Sequence, residues 1–62
     1  MRQATKTPFR LSVCLRIDLR QFGLDEDEAT RLADEAVRDW GRDEQVPLDA
    51  YEEISRELRR VQ

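Results

Sequence analysis

A chain of 62 residues with one cysteine, two glycines and no histidine has room for one domain and little of the raw material of chemical sites. A domain this small buries only about 60% of the surface it exposes when unfolded, so it is marginal unless a disulfide, a metal or a partner helps. Cys14 has no second cysteine to pair with, and one thiol among scattered carboxylates is not a zinc site, which leaves a partner.

Charged side chains are 40% of the chain and the net charge is −3. No apolar run approaches the ~18 residues of a membrane span. The start, MRQATKTP, lacks the apolar centre of a secretion signal. These features lead us to expect a cytoplasmic protein that does not enter a membrane. Ten of the eleven basic residues are arginine, a bias that fits a GC-rich bacterial, phage or mobile-element genome. The charge is also unevenly placed. Residues 1–24 hold five basic side chains against Asp18 alone, a balance of +4; residues 25–62 hold six arginines against thirteen acids, a balance of −7. Asymmetry of this kind suggests two functional surfaces.

Residues 1–8 carry no periodic apolar pattern and end near Pro8, so they are expected to be a flexible arm. Residues 9–62 then form a single helical domain, with helices over about 9–22, 26–40 and 49–61. The first of these is ambiguous. From Phe9 to Leu19 the odd residues are apolar and most even ones polar, the alternation of a strand. As a helix, the segment places Leu11, Cys14, Leu15, Leu19 and Phe22 on one stripe, interrupted by Asp18, and Phe9, Val13 and Ile17 on another. Gly23 followed by Leu24, with Leu19 four residues before the glycine, matches a Schellman helix end, and the chain has no second strand to pair with the first. The helix is therefore preferred.

The second helix is clearer. Ala29, Leu32, Ala33, Ala36, Val37 and Trp40 recur at spacings of three and four, Asp25 and Glu28 form a capping-box-like pair, and Gly41 ends the stripe. After the connection GRDEQVP, a third helix places Tyr51, Ile54, Leu58 and Val61 on one face, with Asp49 as its N-cap and Arg59 and Arg60 at its end. The fold class expected is all-α, a compact three-helix domain.

Candidate chemistry is sparse. The run Asp25–Glu28 lacks the glycine that a calcium loop needs at its sixth position, where Thr30 stands. There is no phosphate-binding glycine loop and no nucleophile with a base, so no enzyme activity, catalytic residue, metal or cofactor is expected. Most acids have an arginine three or four residues on, as in Asp27–Arg31, Asp34–Arg38, Glu52–Arg56, Glu28–Arg31, Glu35–Arg38 and Glu57–Arg60. Asp39, Asp43 and Glu44, around the second connection, have no nearby partner on a helix and are candidates for meeting a basic partner. Trp40 and Tyr51 flank the same connection and suit either a core lid or an interface anchor. The leftover stripe Phe9/Val13/Ile17, rimmed by Arg10, Arg16 and Arg20, is the best-motivated partner-binding surface. Cys14 is expected to act as a small buried hydrophobe.

Read instead as strand, helix, helix, the layout resembles ribbon-helix-helix regulators. That resemblance implies a dimer in which residues 9–17 pair with their copy and Arg10, Ser12, Cys14 and Arg16 face DNA. In size, charge and lack of motifs the chain is also similar to anti-CRISPR inhibitors and other host-takeover factors. This second likeness implies a non-enzymatic protein that docks on a host protein complex and inhibits or modulates it sterically. The inhibitor is the first expectation; the DNA-binding repressor or antitoxin is the alternative, and a homodimer is open under either.

Overall fold

The computed structural model describes residues 5–61, with the side chain of Val61 outside that description. The chain forms three helices: α1 (Leu11–Phe22), α2 (Glu26–Trp40) and α3 (Leu48–Val61). Among the described residues there is no strand, only one isolated antiparallel bridge between Lys6 and Pro47. The fold is the all-α, three-helix domain that the helical periodicities predict.

The α1–α2 corner is built from neighbours in sequence. Gly23, at φ +123°, sends its N–H to the carbonyls of Leu19 and Arg20, and the N–H of Leu24 returns to Leu19. This is the Schellman end, and the positive φ suits a residue without Cβ. Two residues later Asp25 caps α2, accepting from the N–H of Glu28 at 2.8 Å. Three acids, Glu26, Asp27 and Glu28, fill the first turn of α2 at the positive end of its dipole.

The core is leucine on alanine. Leu11 and Leu15 pack with Ala33, Ala36 and Val46, while Val37, Tyr51, Ile54 and Leu58 close over them. Leu19 packs with Ala29 and Leu32, flanked by Leu24 and Leu58. Short side chains on α2 admit the long ones of α1, so the two helices interdigitate without large residues on both sides. Each fully buried leucine contributes about 2 kcal/mol of hydrophobic transfer. Leu58 touches both clusters and ties α3 to the α1–α2 pair.

The other end of α1 departs from the expectation. Residues 9 and 10 are not helical, and residues 5–8, placed in a flexible arm, are bonded to the α2–α3 connection; residues 1–4 of that arm lie outside the described residues. The N–H of Thr7 donates to the Val46 carbonyl at 2.9 Å, and the N–H of Leu48 to the Thr5 carbonyl at 2.8 Å. Gln45 bridges with its side-chain amide to the carbonyls of Thr7 and Pro8, at 3.0 and 3.1 Å. Thr7 is 2% exposed, its hydroxyl donating to the Phe9 carbonyl and accepting from the N–H of Val46. We call this mutual pairing of residues 5–12 with residues 43–48 the clasp.

The clasp also finishes two helices. Arg10, the residue before α1, offers no side-chain cap. The first N–H groups of α1 are met from thirty residues away: Leu11 donates to the Glu44 carbonyl at 2.9 Å, and Ser12 to the Asp43 carboxylate at 3.0 Å. Likewise α3 begins at Leu48, whose N–H is taken by Thr5; Asp49 lies inside the first turn rather than at the cap.

Candidate docking surface on the outer face of α1

The strand reading of residues 9–17 is overturned. Leu11 to Phe22 is helical, so alternate residues do not share a face. Cys14 is buried and donates its thiol to the Phe9 carbonyl at 3.3 Å, while Ser12 is engaged by Asp43 through both its N–H and its hydroxyl, the latter at 2.7 Å. Arg10, Ser12, Cys14 and Arg16 therefore form no row that could read a groove. A carboxylate also stands beside Arg10, whose Nε is 3.7 Å from Asp43. The reason is local: the Schellman end at Gly23 and the leucines at four-residue spacing outweigh an alternation that has no partner strand.

Leu11, Leu15 and Leu19 turn inward, which directs Val13 and Ile17 to the opposite side. Arg16 and Arg20 share that outer side by helical spacing. Phe9 reaches it by another route. The extended segment entering α1 (Arg10 at φ −57°, ψ 157°) carries Phe9 alongside the helix rather than onto its first turn. The clasp brings Leu48 to the same place. The result is an apolar patch with Phe9 54%, Ile17 45% and Leu48 37% exposed, and Val13 half-buried within it.

Two shallow depressions shape the patch, and Pro8 and Phe9 line both. One, of about 250 Å³, continues over Ile17, Leu48 and Tyr51. The other, of about 470 Å³, continues over Arg10, Val13 and Gln45. Asp18, which interrupts the inner stripe, is the only acid in α1. It is tied inward, because the Tyr51 hydroxyl donates to its carboxylate, with the Cys14 carbonyl a second acceptor at 2.9 Å. Burial first, then the hydrogen bond to Asp18 and its negative charge, push the Tyr51 phenol well above its ordinary range. The outer face of α1 thus carries three arginines, Arg10 beside Asp43 and Arg20 3.7 Å from Glu26, while the tethered Asp18 lines the edge of the depression over Ile17.

The other predicted contact residues lie elsewhere. Asp43 belongs to the clasp. Its slight burial works upward on its pKa, but the Ser12 N–H, the Ser12 hydroxyl and the charges of Arg10 and Arg16 outweigh that and hold the carboxyl below its ordinary value. Glu44 accepts from the Trp40 indole N–H at 3.0 Å and lies 3.8 Å from Arg42. Asp39 and Trp40 line a cleft between α2 and α3. So Phe9, Arg10, Val13, Arg16, Ile17 and Arg20 gather on one side, whereas Asp39, Trp40, Asp43 and Glu44 do not form a single free acidic corner. Tyr51 packs on the core; Trp40 stays 39% exposed.

Leu48, Gln45, Thr7 and Val46 had no signal in the sequence, because each acts through a contact across more than thirty positions. Phe22, expected on the inner stripe, is 51% exposed at the last turn of α1, with the Arg59 guanidinium over its ring, 6.0 Å from the centroid. The expected charge pairs form in part: Glu28–Arg31 and Glu57–Arg60 are present, while Glu35 meets Arg31 at 3.5 Å instead of Arg38. Exposed pairs differ by so little energy that such exchanges are expected.

Among the described residues no helix is long and apolar enough to cross a membrane, and no group of three histidine, cysteine, aspartate or glutamate side chains could hold a metal ion. Compared with known protein families, with curated proteins and with solved structures, the chain finds no match in any of the three.

Proposed function

We propose that this is a small, non-enzymatic binding protein of the cytoplasm that docks on a host protein or complex through the outer face of α1 and modulates it by covering a functional surface. The reading rests on one observation. Phe9, Ile17 and Leu48 leave much of their surface to water in a chain that can ill spare apolar burial, and they form one patch rather than scattered singles. Arg10, Arg16 and Arg20 border that patch while the protein as a whole is negative. This arrangement suits a partner with an apolar centre and an acidic rim, where apolar burial supplies affinity and charge sets orientation and approach. An origin in a phage or other mobile element accords with the arginine-rich composition and with action on a host component.

The test is capture from a bacterial lysate with wild type and a Val13→Asp/Ile17→Asp variant, followed by binding of the recovered partner in purified form. Ile17 is exposed and Val13 half-buried, both outside the core clusters, so the variant should keep its helical content and lose the partner by at least about tenfold in affinity, the scale of two contact residues at an interface. Equal binding by the two proteins removes the α1 face from the function. Light scattering adds an arm: a wild type that dimerises where the variant does not would make a second copy the occupant.

A further inference from the structure

The cleft between α2 and α3 holds about 330 Å³ and is built differently from the α1 face. Its floor is apolar, from Ala36, Ile54 and Leu58, and Trp40 stands as one wall. Every ionisable residue lining it is an acid: Glu35, Asp39 and Glu57. Two of these have arginines nearby on their own helices, Glu35 with Arg31 at 3.5 Å and Glu57 with Arg60 at 3.2 Å, in exposed pairs that hold weakly. Asp39 has no ion pair among the described residues.

Trp40 is fixed as well as exposed. Its indole N–H is bonded to Glu44 at 3.0 Å, which orients the ring without closing it off. The contrast with Phe22 is direct. That ring has an arginine of this chain above it at 6.0 Å, and among the described residues Trp40 has none. An indole is the best of the aromatic faces for a cation, and guanidinium is planar, weakly hydrated and able to stack. The methylene stem of an arginine would lie on Ile54 and Leu58, its fork within reach of the carboxylates at the rim.

We propose that the α2–α3 cleft receives an arginine side chain presented, beside an apolar residue, by a protein partner. The commitment to arginine rests on charge complementarity with three carboxylates and on an oriented, uncovered indole. The site is separate from the α1 face, and neither depends on the other. It gives the molecule two docking surfaces of opposite charge.

The test uses the intact protein and a short blocked peptide alternating leucine and arginine, with a twin in which citrulline replaces arginine. Backbone and indole amide shifts are followed by NMR during titration. The arginine peptide should move Trp40 Nε1–H and the amides around Ala36, Ile54 and Leu58, and the citrulline twin should bind about tenfold more weakly, since it keeps the shape and loses the charge. Asp39→Asn/Glu57→Gln, both at exposed positions, should lose about the same factor. Asp27→Asn/Asp34→Asn, which removes as much charge from α2 away from the cleft, should lose almost nothing. Equal binding of the two peptides, equal losses in the two double variants, or no response at the indole would each overturn the assignment.

Discussion

At its C-terminal end α1 is closed by Gly23 and Leu24, and α2 is opened by Asp25, all within a few residues of one another. At its N-terminal end the same helix is closed by Glu44 and Asp43, more than thirty positions away, through a clasp that also starts α3. Both ends satisfy backbone N–H or C=O groups that a helix cannot satisfy itself. They differ in what holds them. The corner forms from local chain geometry, so it can exist before the rest of the molecule. The clasp needs residues more than thirty positions apart to meet, and it is the clasp that brings Phe9 and Leu48 together with Val13 and Ile17.

The largest test removes core from each end. Leu11→Ala and Leu19→Ala, both at positions with 0% exposure, should each cost about 3 kcal/mol in denaturant unfolding. Against the roughly 3–9 kcal/mol available to a chain of this length, either should remove at least about a third of the stability. A much smaller loss for Leu11 would mean that the clasp end is loosely packed.

Thr7→Val is next. It keeps the volume and removes a hydroxyl that both donates and accepts inside the clasp, leaving the Phe9 carbonyl without one of its donors. About 1–2 kcal/mol should be lost in the same unfolding experiment. A neutral result would show that the hydroxyl is replaceable by water.

The two caps then give a matched pair of smaller effects. Asp25→Ala and Asp43→Ala should each cost about 1 kcal/mol, because each removes a carboxylate from a helix N-terminus. Asp43 adds a pH signature. Its folded pKa lies below the ordinary 3.8, so its contribution is complete above the unfolded value and fades as pH falls through the lower, folded one. The stability gap between wild type and Asp43→Asn should therefore hold from neutral pH to about pH 5, begin to narrow near about pH 4, and close as pH falls through the lower, folded value. A gap that does not narrow on acidification below about pH 4 would mean that the aspartate acts by shape and not by charge.

How far the sequence foretold the structure follows the same division. Gly23, Leu24 and Asp25 announce the corner because glycine, an apolar neighbour and a capping acid carry their meaning within one turn of chain. The α2 stripe is legible for the same reason. Phe9 to Ile17 was ambiguous because Phe9 is not in the helix at all, so part of the alternation came from a residue of the clasp. Asp43 reads as an unpaired acid until Ser12 is placed beside it. Trp40 and Tyr51 look alike in sequence, yet Tyr51 packs on the core and bonds Asp18, while Trp40 stays open in the α2–α3 cleft. Contacts across thirty residues leave no local mark, and the candidate surface depends on several of them.

Amide hydrogen exchange at Thr7, Leu11, Ser12 and Leu48 tests the clasp most directly. These four N–H groups donate to Val46, Glu44, Asp43 and Thr5, across the chain rather than within a helix. All four should exchange well below the rate of an unstructured chain, and Thr7→Val should speed Thr7 and Leu48 while the corner amides of Gly23 and Leu24 stay slow. Exchange at the unstructured rate for Thr7 and Leu48 in the wild type would contradict the clasp, and with it the patch that the clasp assembles.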